Sequence, residues 1–136
     1  MKYLSAYGFI LVGQWNKSTT VKSGINYELT DLDSERVVYS FVVDGVPEYI
    51  GICEKDYTTL KDRMGRYKNQ QGGSGISIST NKRISIHIKQ LLDQGKRVEI
   101  YALKPAIKEI FVDLQVDLVK GLENPLIASF KPEWNR

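Results

Sequence analysis

The chain has 136 residues, 42% apolar and 26% charged, with a formal net charge of +3, the size and composition of one soluble domain able to bury a core. Its apolar runs, such as Phe9-Ile10-Leu11-Val12, are far too short to cross a membrane, and the start lacks the layout of a signal peptide. One cysteine, Cys53, and one histidine, His87, exclude an intrachain disulfide and a cysteine zinc cage, leave little room for a His-rich metal site or a Ser-His-Asp triad, and point to a reducing cytoplasm.

In chain order, residues 1 to 36 read as an N-terminal extension packed on the domain. Strand-like pieces at Tyr7 to Val12 and Ile25 to Leu29 surround a polar turn at Asn16 to Thr20. A hairpin follows over about 37 to 53, because Asp44-Gly45 separates two β-branched and aromatic runs. Asp56 is placed to cap a helix over about 57 to 68, with Tyr57, Leu60, Met64 and Tyr67 as its apolar stripe. Asn69 to Ser79, rich in Gly, Gln and Ser, reads as a loop. Its Gly72-Gly73-Ser74-Gly75 is no phosphate loop, since no Gly-Lys-Ser/Thr follows. Asn81 is expected to cap a second helix reaching about Gln94, with Ile84, Ile88, Leu91 and Leu92 inward and Gly95 as the stop. Arg97 to Leu103 alternates as a strand. Asp117 to Phe130 has helical spacing, and Pro125 inside it predicts a kink or a restart at Asn124. The pattern β-β-α-α-β-α over residues 37 to 136 is an α+β layer arrangement.

Charge is unevenly placed. Residues 54 to 104 hold 11 Lys/Arg against 5 Asp/Glu, a local +6, and the remainder holds 8 against 11, or −3. A basic middle fits a polyanionic partner; it also fits an ordinary solvated surface.

The hairpin carries Tyr39 on one strand and Tyr49 on the other. Side chains alternate with period two, so register decides whether the phenols share a face. A plain two-residue turn pairs Val43 with Val46 and puts Tyr39 and Tyr49 on opposite faces. A shared site therefore requires a three-residue loop, or a bulge near Pro47, whose missing N–H already weakens the ladder. Tyrosines that merely favour strands need neither. Arg63 and Tyr67, four apart, lie on one helical face beside the buried stripe, where an arginine can fork onto a phosphate or simply snorkel. Glu123 sits between Leu122 and Leu126 on a mostly apolar segment; it could hold a hard divalent ion or be a surface glutamate. His87 reads as a solvent or core histidine and Cys53 as a small buried residue.

The runs Val38-Tyr39-Ser40 and Tyr49-Ile50-Gly51, the Arg63 helix, Gly121-Leu122-Glu123-Asn124-Pro125-Leu126-Ile127 and Lys131-Pro132-Glu133-Trp134-Asn135 occur in the order and rough spacing of the GIY-YIG nuclease superfamily, which residues 37 to 135 resemble. The first motif is degenerate, with Val37 and Val38 in place of Gly and Ile. Tyr67 stands where many members have histidine, which resembles the restriction-endonuclease branch. The resemblance implies a small three-stranded antiparallel sheet flanked by helices. It implies a catalytic set of Tyr39, Tyr49, Arg63, Tyr67, Glu123 and Asn135, with one Mg²⁺ or Mn²⁺ at Glu123. The activity implied is metal-dependent hydrolysis of a DNA phosphodiester, as in a restriction endonuclease. Arg63 would neutralise the non-bridging oxygens and Tyr39 would orient or deprotonate water. Arg66, Lys68, Lys82 and Arg83 are candidates for phosphate contact. Cutting both strands makes a homodimer the expected assembly. The alternatives are a nucleic-acid-binding module that keeps the nuclease fold without turnover, and a structural α+β domain whose tyrosines are core.

Overall fold

The computed structural model describes residues 3–30, 34–53, 58–70, 76–105 and 109–135, without the side chains of 76–79 and 109–111. A 3-10 turn (Leu4–Tyr7) leads into β1 (Ile10–Lys17) and β2 (Ile25–Leu29). The central hairpin is β3 (Val38–Val43) and β4 (Val46–Ile52), followed by α1 (Leu60–Lys68), α2 (Ile76–Asp93) and β5 (Val98–Leu103). A short ribbon, β6 (Glu109–Phe111) and β7 (Leu114–Val116), precedes α3 (Leu118–Phe130), and a 3-10 turn (Glu133–Asn135) ends the described chain.

The sheet is antiparallel and has five strands in the order β2-β1-β5-β3-β4, not the three expected. The hairpin and β5 form the expected three. The two extra strands, β1 and β2, lie within the N-terminal extension: Ile10 to Trp15 pair along the free edge of β5 from Ala102 to Val98. Unpaired backbone groups on β5 explain the addition, and so do the apolar side chains of the added strands. Val12, Trp15 and Ile25 are buried in the same core as Phe41 and Ile100.

That core fills the space between one sheet face and α1 and α2, where Leu60, Met64, Tyr67, Ile84 and Ile88 meet Tyr39 and Phe41. On the opposite face Leu4, Phe9, Val119 and Leu126 pack over Val38, Val42 and Ile50. Every residue of β3 is buried, which its unbroken Val-Tyr-Ser-Phe-Val-Val run reflects.

Helix boundaries differ from expectation. Asp56 and Tyr57 lie outside the described residues; α1 opens at Leu60 with Thr59 as N-cap. Thr59 Oγ1 accepts from the Asp62 N–H at 3.1 Å and Asp62 Oδ2 accepts from the Thr59 N–H at 3.0 Å, a reciprocal capping box. Thr59→Ala is expected to cost about 1 kcal/mol, read as a lower denaturant midpoint with unchanged slope. The second helix starts at Ile76, so Asn81 is an interior, buried residue and not a cap. The last helix runs through Pro125 as one element capped by Asp117. Arg36, just before β3, pairs with Asp117 at 2.5 Å and ties the start of α3 to the central hairpin.

Candidate functional site

The turn at Asp44-Gly45 has both residues at positive φ, 50° and 79°, the conformation of a two-residue hairpin loop. Val43 pairs with Val46 and Val42 with Pro47, but Phe41 pairs with Tyr49. Glu48 is therefore the extra residue of a bulge beside Pro47. The bulge shifts register by one, so Tyr39, Phe41, Tyr49 and Gly51 share the face that α1 covers, as a common site requires.

Arg63 and Tyr67 reach this face from α1. The Tyr39 and Tyr67 hydroxyls lie 2.5 Å apart, and Arg63 Nη2 donates to both, at 3.2 Å to Tyr39 and 3.3 Å to Tyr67. The Tyr49 ring lies 6.3 Å from that of Tyr39 and 6.2 Å from that of Tyr67, and the Tyr67 hydroxyl acts on its phenol. Three phenols and a guanidinium thus converge from β3, β4 and α1. Tyr39 and Tyr67 are fully buried, whereas Tyr49 and Arg63 are partly exposed and form the solvent side. Arg63 Nε is buried with no hydrogen-bond partner, an unsatisfied donor inside the cluster.

Burial is the main influence on the phenols. It lifts Tyr39, Tyr49 and Tyr67 above the ordinary tyrosine value near 10. The Arg63 charge pulls all three down without offsetting burial. In the free protein the three are neutral hydrogen-bonding groups across the physiological range. Cys53, below the same face, has its thiol pushed up to about 12, mainly by burial; it is an inert core side chain.

Gly51 is required by close approach. A Cβ there would lie 2.5 Å from the Tyr39 hydroxyl oxygen and 2.6 Å from its Cζ. The ring is walled in and has no room to retreat. Gly51→Ala is expected to destabilise by about 1–3 kcal/mol and to displace the Tyr39 hydroxyl, measured as a lower Tm.

Glu123 is half-buried on α3, which packs against β4. Its charge acts on Tyr49, raising the Tyr49 phenol further. Among the described residues no three His, Cys, Asp or Glu side chains gather to hold an ion. The donor set is a single carboxylate, on the helix that packs against β4 and near enough to Tyr49 for its charge to act there. That set fits a hard cation such as Mg²⁺, which keeps most of its water and completes its shell with phosphate oxygens.

Asn135 approaches β4 from its outer edge. Its Oδ1 accepts from the Ile50 N–H and its Nδ2 donates to the Ile50 carbonyl, both at 2.8 Å. The amide thus occupies the place of a neighbouring strand. Among the four candidates for phosphate contact, Lys82 is exposed on α2 and Arg66 half-exposed on α1. The Lys68 ammonium lies 5.5 Å from the Tyr27 ring centroid, and Arg83 Nη2 donates to the Trp134 carbonyl at 2.9 Å. Phe41 stands opposite Tyr49, as the register that unites the two tyrosines requires, with its ring stacked on that of Tyr49 at 5.8 Å. Sequence reasoning missed the role of Gly51, which was visible as part of Tyr49-Ile50-Gly51.

The chain is an α+β domain with a five-stranded antiparallel sheet, helices on both faces and a phenol–guanidinium cluster near one edge. Two solved structures share the fold. The chain is similar to a mutant of bacteriophage T4 EndoII, with 19% identity and a TM-score of 0.72 over 97% of this chain and 95% of that one. It is also similar to restriction endonuclease HPY188I in complex with product DNA, with 19% identity and a TM-score of 0.51 over 94% of this chain and 76% of that one. No family model matches the sequence, and no curated protein does. Among the described residues no helix is long and apolar enough to cross a membrane.

Proposed function

We propose that this chain is a metal-dependent DNA endonuclease of the GIY-YIG type, in the manner of a small restriction enzyme. One observation carries the reading. The bulge at Glu48 brings Tyr49 onto the face of Tyr39, where Arg63 donates to the Tyr39 and Tyr67 hydroxyls and the Tyr49 ring packs beside both phenols. A hairpin serving only as scaffold has no need of that register shift. The fold shared with two endonuclease structures, one of them holding product DNA, supports the same reading.

The chemistry follows from the groups present. Arg63 is permanently charged and partly exposed, and is suited to bind the non-bridging oxygens of a phosphodiester and neutralise charge as it develops. Tyr39, neutral and hydrogen-bonded to Tyr67 and Arg63, is suited to orient the attacking water; Tyr49 and Tyr67 hold its hydroxyl in place and narrow the access of bulk water. Glu123 would hold Mg²⁺ or Mn²⁺, which when bound polarises the phosphate and stabilises the leaving oxygen. Arg66, Lys68 and Lys82 lie on α1 and α2 and supply positive charge for the flanking backbone. Cleavage of both strands calls for a homodimer.

Incubation of supercoiled plasmid with the protein and Mg²⁺ or Mn²⁺ tests the reading, with Glu123→Ala as control. Nicked or linear product in the wild type alone supports it. Binding without cleavage under any divalent ion replaces it with a binding module on the nuclease fold.

A further inference from the structure

Tyr49 is held by a strand that is poorly held itself. β4 is the edge strand of the sheet, and its ladder to β3 is interrupted by the bulge immediately before Tyr49. Beyond the bulge, the outward backbone groups of Ile50 are satisfied by Asn135. Asn135 lies in a 3-10 turn of three residues, too short to fix its own orientation. At Trp134 the turn is held by α2. The Trp134 indole is buried, with its ring stacked on that of His87 at 5.3 Å and 12° between planes. The Trp134 carbonyl accepts from Arg83 Nη2 at 2.9 Å. Arg83 and His87 are four residues apart, so one helical face grips both the ring and the backbone of Trp134.

We propose that His87 and Arg83 are positioning residues, which act through Trp134 and Asn135 to hold the bulged strand β4 and, with it, Tyr49. The grip is formed by side chains outside the phenol cluster and on a different element from Arg63. It gives His87 a task despite its distance in sequence from every motif residue. It also gives Arg83 a positioning role in place of phosphate contact, with a different kinetic signature. Loss of the grip frees the turn, loosens the Asn135 amide from Ile50 and lets Tyr49 drift on the site face. A misplacement on the order of 1 Å lowers a rate by as much as about 10²-fold without weakening substrate binding.

The rate arm of the test rests on the nuclease reading; the exchange arm does not. In the full-length ¹⁵N-labelled protein, amide exchange at Ile50 reports the Asn135 clamp directly. His87→Ala is expected to speed Ile50 exchange about tenfold or more, from the lost hold on Asn135. His87→Phe keeps a flat ring over Trp134 and is expected to restore most of the protection. In plasmid cleavage, His87→Ala is expected to lower kcat roughly ten- to a hundredfold with KM for DNA unchanged, and His87→Phe to recover most of that loss. Arg83→Gln is expected to lower kcat likewise; a raised KM with unchanged kcat would make Arg83 a phosphate contact and remove it from the proposal. Unchanged Ile50 exchange in His87→Ala, an equal loss in both His87 variants, or faster exchange with full kcat overturns the positioning role. If the wild type cuts no DNA, the nuclease reading fails and the exchange result alone decides the clamp.

Discussion

Glu123→Ala is expected to lower Mg²⁺-dependent cleavage by about 10³-fold or more while DNA binding stays within a few-fold of wild type. The asymmetry follows from where the residue sits. Glu123 is half-buried on α3, and the apolar contacts of that helix are made by Val119, Leu122, Leu126, Ile127 and Phe130, not by the glutamate. Removing the carboxylate therefore leaves the packing of α3 intact. It removes an acidic group whose charge acts on Tyr49 and, with it, the ligand that would hold the ion. Affinity for DNA comes mainly from lysine and arginine contacts with phosphate, which the substitution does not touch. Plasmid cleavage and a band-shift titration on the same preparation check both halves. Full activity in Glu123→Ala removes the carboxylate from the chemistry.

Tyr39→Phe is expected to be the second severe lesion, lowering kcat about 10²–10⁴-fold at a modest cost in stability. The ring is completely buried and stays so as phenylalanine, with its neighbours Phe41, Tyr49 and Tyr67 unchanged. The substitution removes the Tyr39 oxygen that accepts from Tyr67 and Arg63, while the Tyr67 hydroxyl keeps its bond from Arg63. The buried Tyr67 O–H is left without its acceptor, and the loss of stability is about 1–3 kcal/mol. A tyrosine that is only core predicts the same small stability change and a wild-type rate. The ratio of rate loss to stability loss, from cleavage kinetics and denaturant unfolding, separates the two.

The pH dependence has a definite sign. Each phenol is raised above its ordinary value, chiefly by burial, so in the free protein each carries its proton throughout the neutral range. The profile of kcat/KM reports groups of the free enzyme and is expected to show no tyrosine inflection between about pH 6 and 9. An inflection there that Tyr39→Phe abolishes would show that Tyr39 ionises well below this expectation and serves as base.

Local chemistry was legible in the sequence. Asp44-Gly45 between β-branched runs specified the hairpin, and period-two geometry then showed that two phenols on one face needed a loop of odd length or a bulge. The structure has the bulge, at Glu48 beside Pro47, together with the two-residue turn. The four-residue spacing of Arg63 and Tyr67 placed both on one side of α1, where they meet. Boundaries were less legible. Ile and Ser are only moderately poor helix formers, so propensity did not show that α2 begins at Ile76, or that Asn81 lies buried inside it.

The sequence by itself determined the hairpin, the helical face of Arg63 and the condition on register, because each depends on residues a few positions apart and on fixed backbone periods. Only the tertiary structure decided that β1 and β2 extend the sheet through β5, that Asn135 pairs with the backbone of Ile50 from 85 residues away, and that His87 stacks on Trp134. These depend on which distant segments come to lie side by side. Pairing between strands is set by the burial of whole faces and the satisfaction of free edges, quantities that no local window contains.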